Sequence, residues 1–208
     1  MNENTNADIL RRSEALAAEA EALVQRCAVV TAWESAGAEI HRVGSSAMGL
    51  MMKHRDVDFH LYTETLDSAV GFRVLGKIAE TGLVTRAVFN DLSRTVEECF
   101  EWHIWIRDPS DPGVSSIPNA LWQIDMIQIR RSSAYDGYFE RVAERIRAIL
   151  TPKTKFAILS LKDLTPPDDT IPGILYYQAV LRDGVRTWDE FSAWRKSHPT
   201  DGVIEWMP

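Results

Sequence analysis

The chain has 208 residues, 45% of them hydrophobic and 25% charged. That is the balance of a globular protein with a substantial core, and it excludes a disordered, collagenous or low-complexity chain. Lys and Arg number 23 against 30 Asp and Glu, a formal charge of −7, so the surface as a whole should repel phosphate polymers and anionic lipid, and nucleic acid is disfavoured as a partner. Cys27 and Cys99 form no CxxC pair and read as buried or free thiols in a reducing compartment. The opening MNENTNADIL lacks the layout of a signal peptide, and no apolar run approaches the roughly 20 residues of a membrane span. A cytoplasmic location is expected.

Leu16, Ala20, Leu23, Cys27 and Val30 recur at alternating steps of four and three, which predicts a helix over 8–35 closed by Gly37. A short strand is expected at 39–43, ending in Gly44-Ser45-Ser46, then a short helix at 47–52. Residues 56–62 (DVDFHLY) alternate, with Val57, Phe59 and Leu61 on one face and Asp56, Asp58, His60 and Tyr62 on the other. A helix over 66–80 and strands at 83–90, 96–107 and 121–129 follow, the last two joined by a proline-rich loop at 108–119. Beyond Arg130 the pattern is helical: 134–150, a helix opened by Thr151-Pro152, one at 172–183, and one whose Thr187 and Glu190 fit a capping box. An α/β part to residue 130 and a helical part over 131–208, packed on it, are therefore expected.

The candidate chemistry lies in the first part. Asp56 and Asp58 are two apart on a strand and project side by side, a repulsive arrangement that shared divalent cations would offset, Mg²⁺ being suited to hard oxygen ligands. Asp125 stands among Ile124, Met126 and Ile127 in an apolar strand, where an unpartnered carboxylate would be destabilising. Gly44 permits close backbone approach to a ligand, Ser45 adds a hydroxyl, and the helix start beyond them offers N–H groups to an anion.

In these features the sequence resembles the nucleotidyltransferase superfamily with the DNA polymerase beta-like fold. Val43-Gly44-Ser45, ten intervening residues and Asp56-Val57-Asp58 match its signature, and Asp125 in WQIDMIQI falls where the family places a third carboxylate. The resemblance covers roughly residues 35–130. It implies an α/β fold with a mixed sheet and flanking helices, completed here by the C-terminal helical part. It also implies transfer of a nucleoside monophosphate from a nucleoside triphosphate, such as ATP, to an acceptor hydroxyl. Asp56 and Asp58 would hold two Mg²⁺, and Asp125 would bind one of them near the acceptor and serve as base. The chain departs from the small antibiotic- and toxin-type members, which read Gly-Ser-x-Ala-Arg-Gly, because Met48 replaces the arginine; Arg42, Lys53 or Arg55 are candidate substitutes. The segment from His41 to Ala47, with Gly49-Leu50 and Lys53, also resembles the GrpB-like branch, with different spacing.

Plainer readings compete. Acidic i, i+2 pairs arise by chance in so acidic a chain, Glu19 and Glu21 on a helix being one; Gly44-Ser45 can be a turn and a cap, and Asp125 a strand-end carboxylate. Context favours the metal reading. Gly44 and Gly49 have P-loop spacing but Leu50 and Met51 stand where Lys and Ser/Thr are required; no GxSxG elbow or HExxH motif exists. His60 reads as a hydrogen-bonded strand histidine rather than an acceptor contact, and Trp102, Trp105 and Trp122 as core, with Trp188 and Trp194 on a helix-packing face.

Residues 130–155 carry seven basic and three acidic side chains, a balance of +4 against −11 for the rest. Lys153 and Lys155, at a helix start, are candidate triphosphate contacts beside Gly44, Ser45 and Ser46, though a solvated helix face accounts for them equally well. An acidic surface suits a cationic small-molecule or a protein acceptor, with the loop at 108–119 bordering it. The rival reading is a catalytically silent relative that binds a nucleotide or partner without turnover.

Overall fold

The computed structural model describes residues 3–108, 121–200 and 204–208. Its elements in chain order are α1 (Glu3–Arg26), α2 (Val29–Ser35), β1 (Glu39–Val43), α3 (Gly44–Met48), β2 (Asp56–Thr63), α4 (Ser68–Ala79), β3 (Val84–Leu92), β4 (Cys99–Ile106), β5 (Trp122–Arg130), α5 (Tyr138–Ile149), α6 (Pro152–Leu164), α7 (Gly173–Tyr177) and α8 (Trp188–Ser197). The five strands form one mixed sheet in the order β1-β2-β5-β4-β3, antiparallel throughout except for the central β2·β5 pair. This is the α/β fold with flanking helices that the sequence leads one to expect. Among the described residues no helix is long and apolar enough to cross a membrane.

Two compact units can be distinguished: residues 18–46 with 55–140, and residues 1–17 with 47–54 and 141–208. The first contains the sheet, whose two faces differ as the alternation in β2 requires. Val57, Phe59 and Leu61 of β2, Trp122, Ile124 and Met126 of β5, and Trp102, Ile104 and Ile106 of β4 are all buried. The register brings them onto one face. Trp33 of α2 closes over them, its ring 6.1 Å from that of Trp102 and its indole N–H 3.1 Å from Met126 Sδ. Gly71 of α4 lets that helix lie against Trp102, since a Cβ there would meet the indole at 2.1 Å. The buried Gln128 amide on this face is satisfied, accepting from Trp102 Nε1 and donating to Thr63 Oγ1, both at 3.0 Å. Trp102 and Trp122 are core, as expected. Trp105 is not: three residues along β4 from Trp102, an odd step, it lies half-buried on the opposite face with Arg86 over its ring at 4.2 Å.

Three boundaries differ from the sequence reading. The expected helix over 8–35 breaks at Ala28, which adopts a left-handed conformation (φ 54°), so α1 and α2 are separate helices. The helix expected at 172–183 begins as α7 and widens into a π-helical turn over Gln178–Arg182. The short helix after β1 starts at Gly44 and ends at Met48, earlier than 47–52. Apart from Asp108, the loop at 108–119 lies outside the described residues.

In the second unit, Thr151 caps α6 and Thr187 with Glu190 forms the expected capping box on α8. The segment after Gly49 is tied to α6 by Lys162, which donates to the Leu50 carbonyl at 2.8 Å, and by Lys53, which donates to that of Thr165 at 3.0 Å. Tyr176 of α7 and Phe191 and Trp194 of α8 stack in series. Arg12 of α1 grips Asp163 through both guanidinium nitrogens at 2.7 and 2.9 Å. That contact holds the Asp163 carboxyl below its ordinary value of 3.8, so its contribution is complete above that value and lost as the pH falls through the lower, folded one. Arg12 is substantially exposed, which limits the pair to about 1 kcal/mol. Asp163→Asn is expected to lower the melting temperature by about 2–4 °C at pH 7. A thermal melt at pH 3 should show a smaller difference.

Candidate active site

The second face of the sheet is polar, and the β2·β5 register organises it. Asp58 is paired with Asp125 and Asp56 with Gln123, so the residues of each pair emerge side by side from adjacent parallel strands. On the far side of β5, His103 of β4 is paired with Asp125. Asp56, Asp58, Asp125 and His103 are all partly buried on this one face. Gly44, at the end of β1, completes the arrangement from the other side. Its φ of +64° is costly for any side chain, and a Cβ built on it would fall 2.0 Å from Asp58 Oδ2. The glycine is therefore required by the carboxylate. Ser46 Oγ donates to the Val43 carbonyl at 3.3 Å, which ties the turn back to β1, and Ser45 lies half-buried between them.

Asp125 is held by two donors. His103 Nδ1 donates to Oδ1 at 2.5 Å, and Gln123 Nε2 donates to Oδ1 and Oδ2 at 2.8 and 3.1 Å. His103 Nε2 in turn faces Glu101 Oε2 at 3.4 Å, and that oxygen accepts from Asn90 Nδ2 at 2.9 Å. A carboxylate only accepts, so a ring with a carboxylate at each nitrogen favours the doubly protonated form. The His103 pKa is accordingly raised, chiefly by the Asp125 hydrogen bond and against the effect of burial. A line of polar contacts thus crosses β3, β4 and β5 and ends at Asp125.

A second polar cluster lies over the β1–β2 end of the face. Tyr62 donates to Glu140 Oε2 at 2.6 Å and accepts from the Gly137 amide at 3.0 Å. His60, 7% exposed, has Nδ1 3.4 Å from Glu140 Oε1 and its ring edge-on to Phe139. Burial would raise the Glu140 pKa, but the His60 and Tyr62 contacts outweigh it and bring it below the ordinary range. His60 thus faces Glu140 across a buried contact.

Of the residues singled out in the sequence, the sheet brings Asp56, Asp58 and Asp125 to one face with Gly44 against Asp58. Among the described residues, no three His, Cys, Asp or Glu side chains are grouped closely enough to form a ready-made metal site. Lys153 and Lys155 belong to the other compact unit, at the start of α6, where the Lys155 ammonium lies 3.6 Å from the Cβ position of Gly49. His103 and Gln123 were not singled out from the sequence. Their signal was present in the alternation: Gln123 is two residues from Asp125, and His103 shares a strand face with Glu101.

No family model matches the sequence, and no curated protein matches it. Solved structures share the fold. One is the non-canonical poly(A) polymerase complex GLD-2–GLD-3, with a TM-score of 0.54 and 14% identity over 87% of this chain and 58% of that one. Another is the Cid1 poly(U) polymerase with MgGTP bound, with a TM-score of 0.55 and 14% identity over 87% of this chain and 56% of that one. The chain thus spans less than three-fifths of either neighbour, and the likeness is one of fold. Both neighbours are named as polymerases, so they lend no support to setting nucleic acid aside on the ground of net charge.

Proposed function

We propose that this chain, whose fold is that of the DNA polymerase beta-like nucleotidyltransferases, transfers a nucleoside monophosphate from a nucleoside triphosphate to a hydroxyl group in a Mg²⁺-dependent reaction. The observation that carries this reading is the pairing of Asp58 with Asp125 on adjacent parallel strands, with Asp56 on the same face and Gly44 backed onto Asp58. The donor set is all carboxylate oxygen, the chemistry Mg²⁺ prefers. Asp56, Asp58 and Asp125 would hold two such ions, which supply charge stabilisation at the triphosphate and at the attacking and leaving oxygens.

In the transfer, the acceptor oxygen forms a bond to the α-phosphorus while the bond from that phosphorus to the bridging oxygen of the β-phosphate breaks, and pyrophosphate leaves. Asp125 receives the hydroxyl proton. Gly44, Ser45 and Ser46 bring the backbone turn against the nucleotide; the basic balance of residues 130–155 is what makes Lys153 and Lys155 candidates for the triphosphate, in place of the arginine that Met48 replaces. The charge of −7 favours a cationic small molecule or a protein hydroxyl as acceptor. Because both neighbours are named as polymerases, an RNA 3′ end is the necessary comparison.

The hydrogen bonds that His103 and Gln123 make to Asp125 also suit a second reading, a silent relative that binds a nucleotide without turnover. Pyrophosphate release separates the two. With Mg²⁺ and each of the four ribonucleoside triphosphates, release should require an acceptor and should be greater with an amino sugar or a protein substrate than with an oligoribonucleotide. A Lys153→Ala, Lys155→Ala double variant should raise the nucleotide KM about tenfold, corresponding to roughly 1.4 kcal/mol. Nucleotide binding without pyrophosphate release on any acceptor would establish the silent reading instead.

A further inference from the structure

We infer that His103 is a positioning residue for Asp125, fixing the carboxylate so that its β2 side is presented to the reacting groups; this rests on the transferase reading above. The geometry is specific. His103 and Asp125 are register partners on neighbouring strands, and the 2.5 Å bond between them is the shortest in the polar line across this face. His103 is itself held at the opposite ring nitrogen by Glu101, which Asn90 holds from the edge strand. These contacts occupy the β4 side of Asp125, while its register partner on the β2 side is Asp58. Gln123, on the same strand face, adds a second donor. Each carboxylate oxygen has two lone pairs, so Asp125 can keep both donors and still accept from a hydroxyl or a cation.

An outer hydrogen bond of this type orients a ligating carboxylate, and its loss commonly reduces metal affinity or activity by about 10–100-fold.

The test compares His103→Ala with His103→Asn, whose side-chain amide puts a donor close to the place of Nδ1, and with Glu101→Gln, which weakens the hold on the ring. Two quantities are measured: Mn²⁺ binding to the nucleotide-free protein by electron paramagnetic resonance, and kcat and KM for transfer. His103→Ala should weaken Mn²⁺ binding about tenfold and lower kcat about 10–100-fold, with the nucleotide KM within twofold of the parent. His103→Asn should recover most of both losses, and Glu101→Gln should show a smaller loss in the same direction. Parent-like kcat and Mn²⁺ affinity in His103→Ala, with only a lower melting temperature, would overturn the inference and leave the transferase reading standing. If His103→Ala does not fold, parent-like kcat and Mn²⁺ affinity in Glu101→Gln, together with a normal response to Asp58→Asn, would overturn it equally. A parent protein that neither binds Mn²⁺ nor releases pyrophosphate would overturn the transferase reading, and the inference with it.

Discussion

Asp58→Asn is expected to reduce nucleotidyl transfer by at least about a thousandfold, or roughly 4 kcal/mol of transition-state stabilisation, while the protein stays folded. The substitution keeps the shape that fits against Gly44 and removes the charge beside Asp125. Asp56→Asn should act in the same direction, because it removes a second carboxylate from the same strand face. The measurement is pyrophosphate release under saturating nucleotide, with a thermal melt to show that the melting temperature moves by no more than about 2 °C, as for a substitution that leaves packing unchanged. Removal of divalent cations with a chelator should match the effect of either variant in the parent protein. Substantial turnover in Asp58→Asn would show that the carboxylate is not in the chemistry.

Gly44→Ala should abolish transfer as well, by a different route. The new Cβ would have to occupy the space that Asp58 Oδ2 now fills, and the alanine would be confined to a left-handed φ of +64°. Overpacking of this kind costs about 1–3 kcal/mol, and the left-handed backbone adds about 1–2 kcal/mol. The two contributions can be separated by a double-mutant cycle. In an Asp58→Ala background most of the steric penalty should disappear and the backbone penalty remain, so the loss of stability on Gly44→Ala should fall by about half. Equal losses in both backgrounds, read from denaturant unfolding, would show that the contact between Gly44 and Asp58 does not constrain the turn.

Much of this organisation is local and was legible in the chain. The period-two alternation of Asp56-Val57-Asp58-Phe59 assigns two carboxylates to one face whatever packs nearby, because successive strand side chains point in opposite directions. The capping pairs at Thr187 and Glu190, and the left-handed freedom needed after Val43, are equally local. What composition and alternation could not supply was pairing. Alternation puts Trp102 and Trp105 on opposite faces of their strand, but only the sheet, with a helix-covered face for one and a polar face for the other, makes Trp102 core and leaves Trp105 under Arg86. His103 carries no motif; its contact with Asp125 comes from a β4·β5 register that sets the two opposite each other, more than twenty residues apart in sequence. The break at Ala28 is similar, since a periodic pattern can continue through a single left-handed residue while the helix does not. The sequence by itself determined which faces are polar and where the turn must be glycine. Tertiary structure alone decided which side chains meet on those faces, because strand register is set by the packing of the whole sheet and not by any one strand.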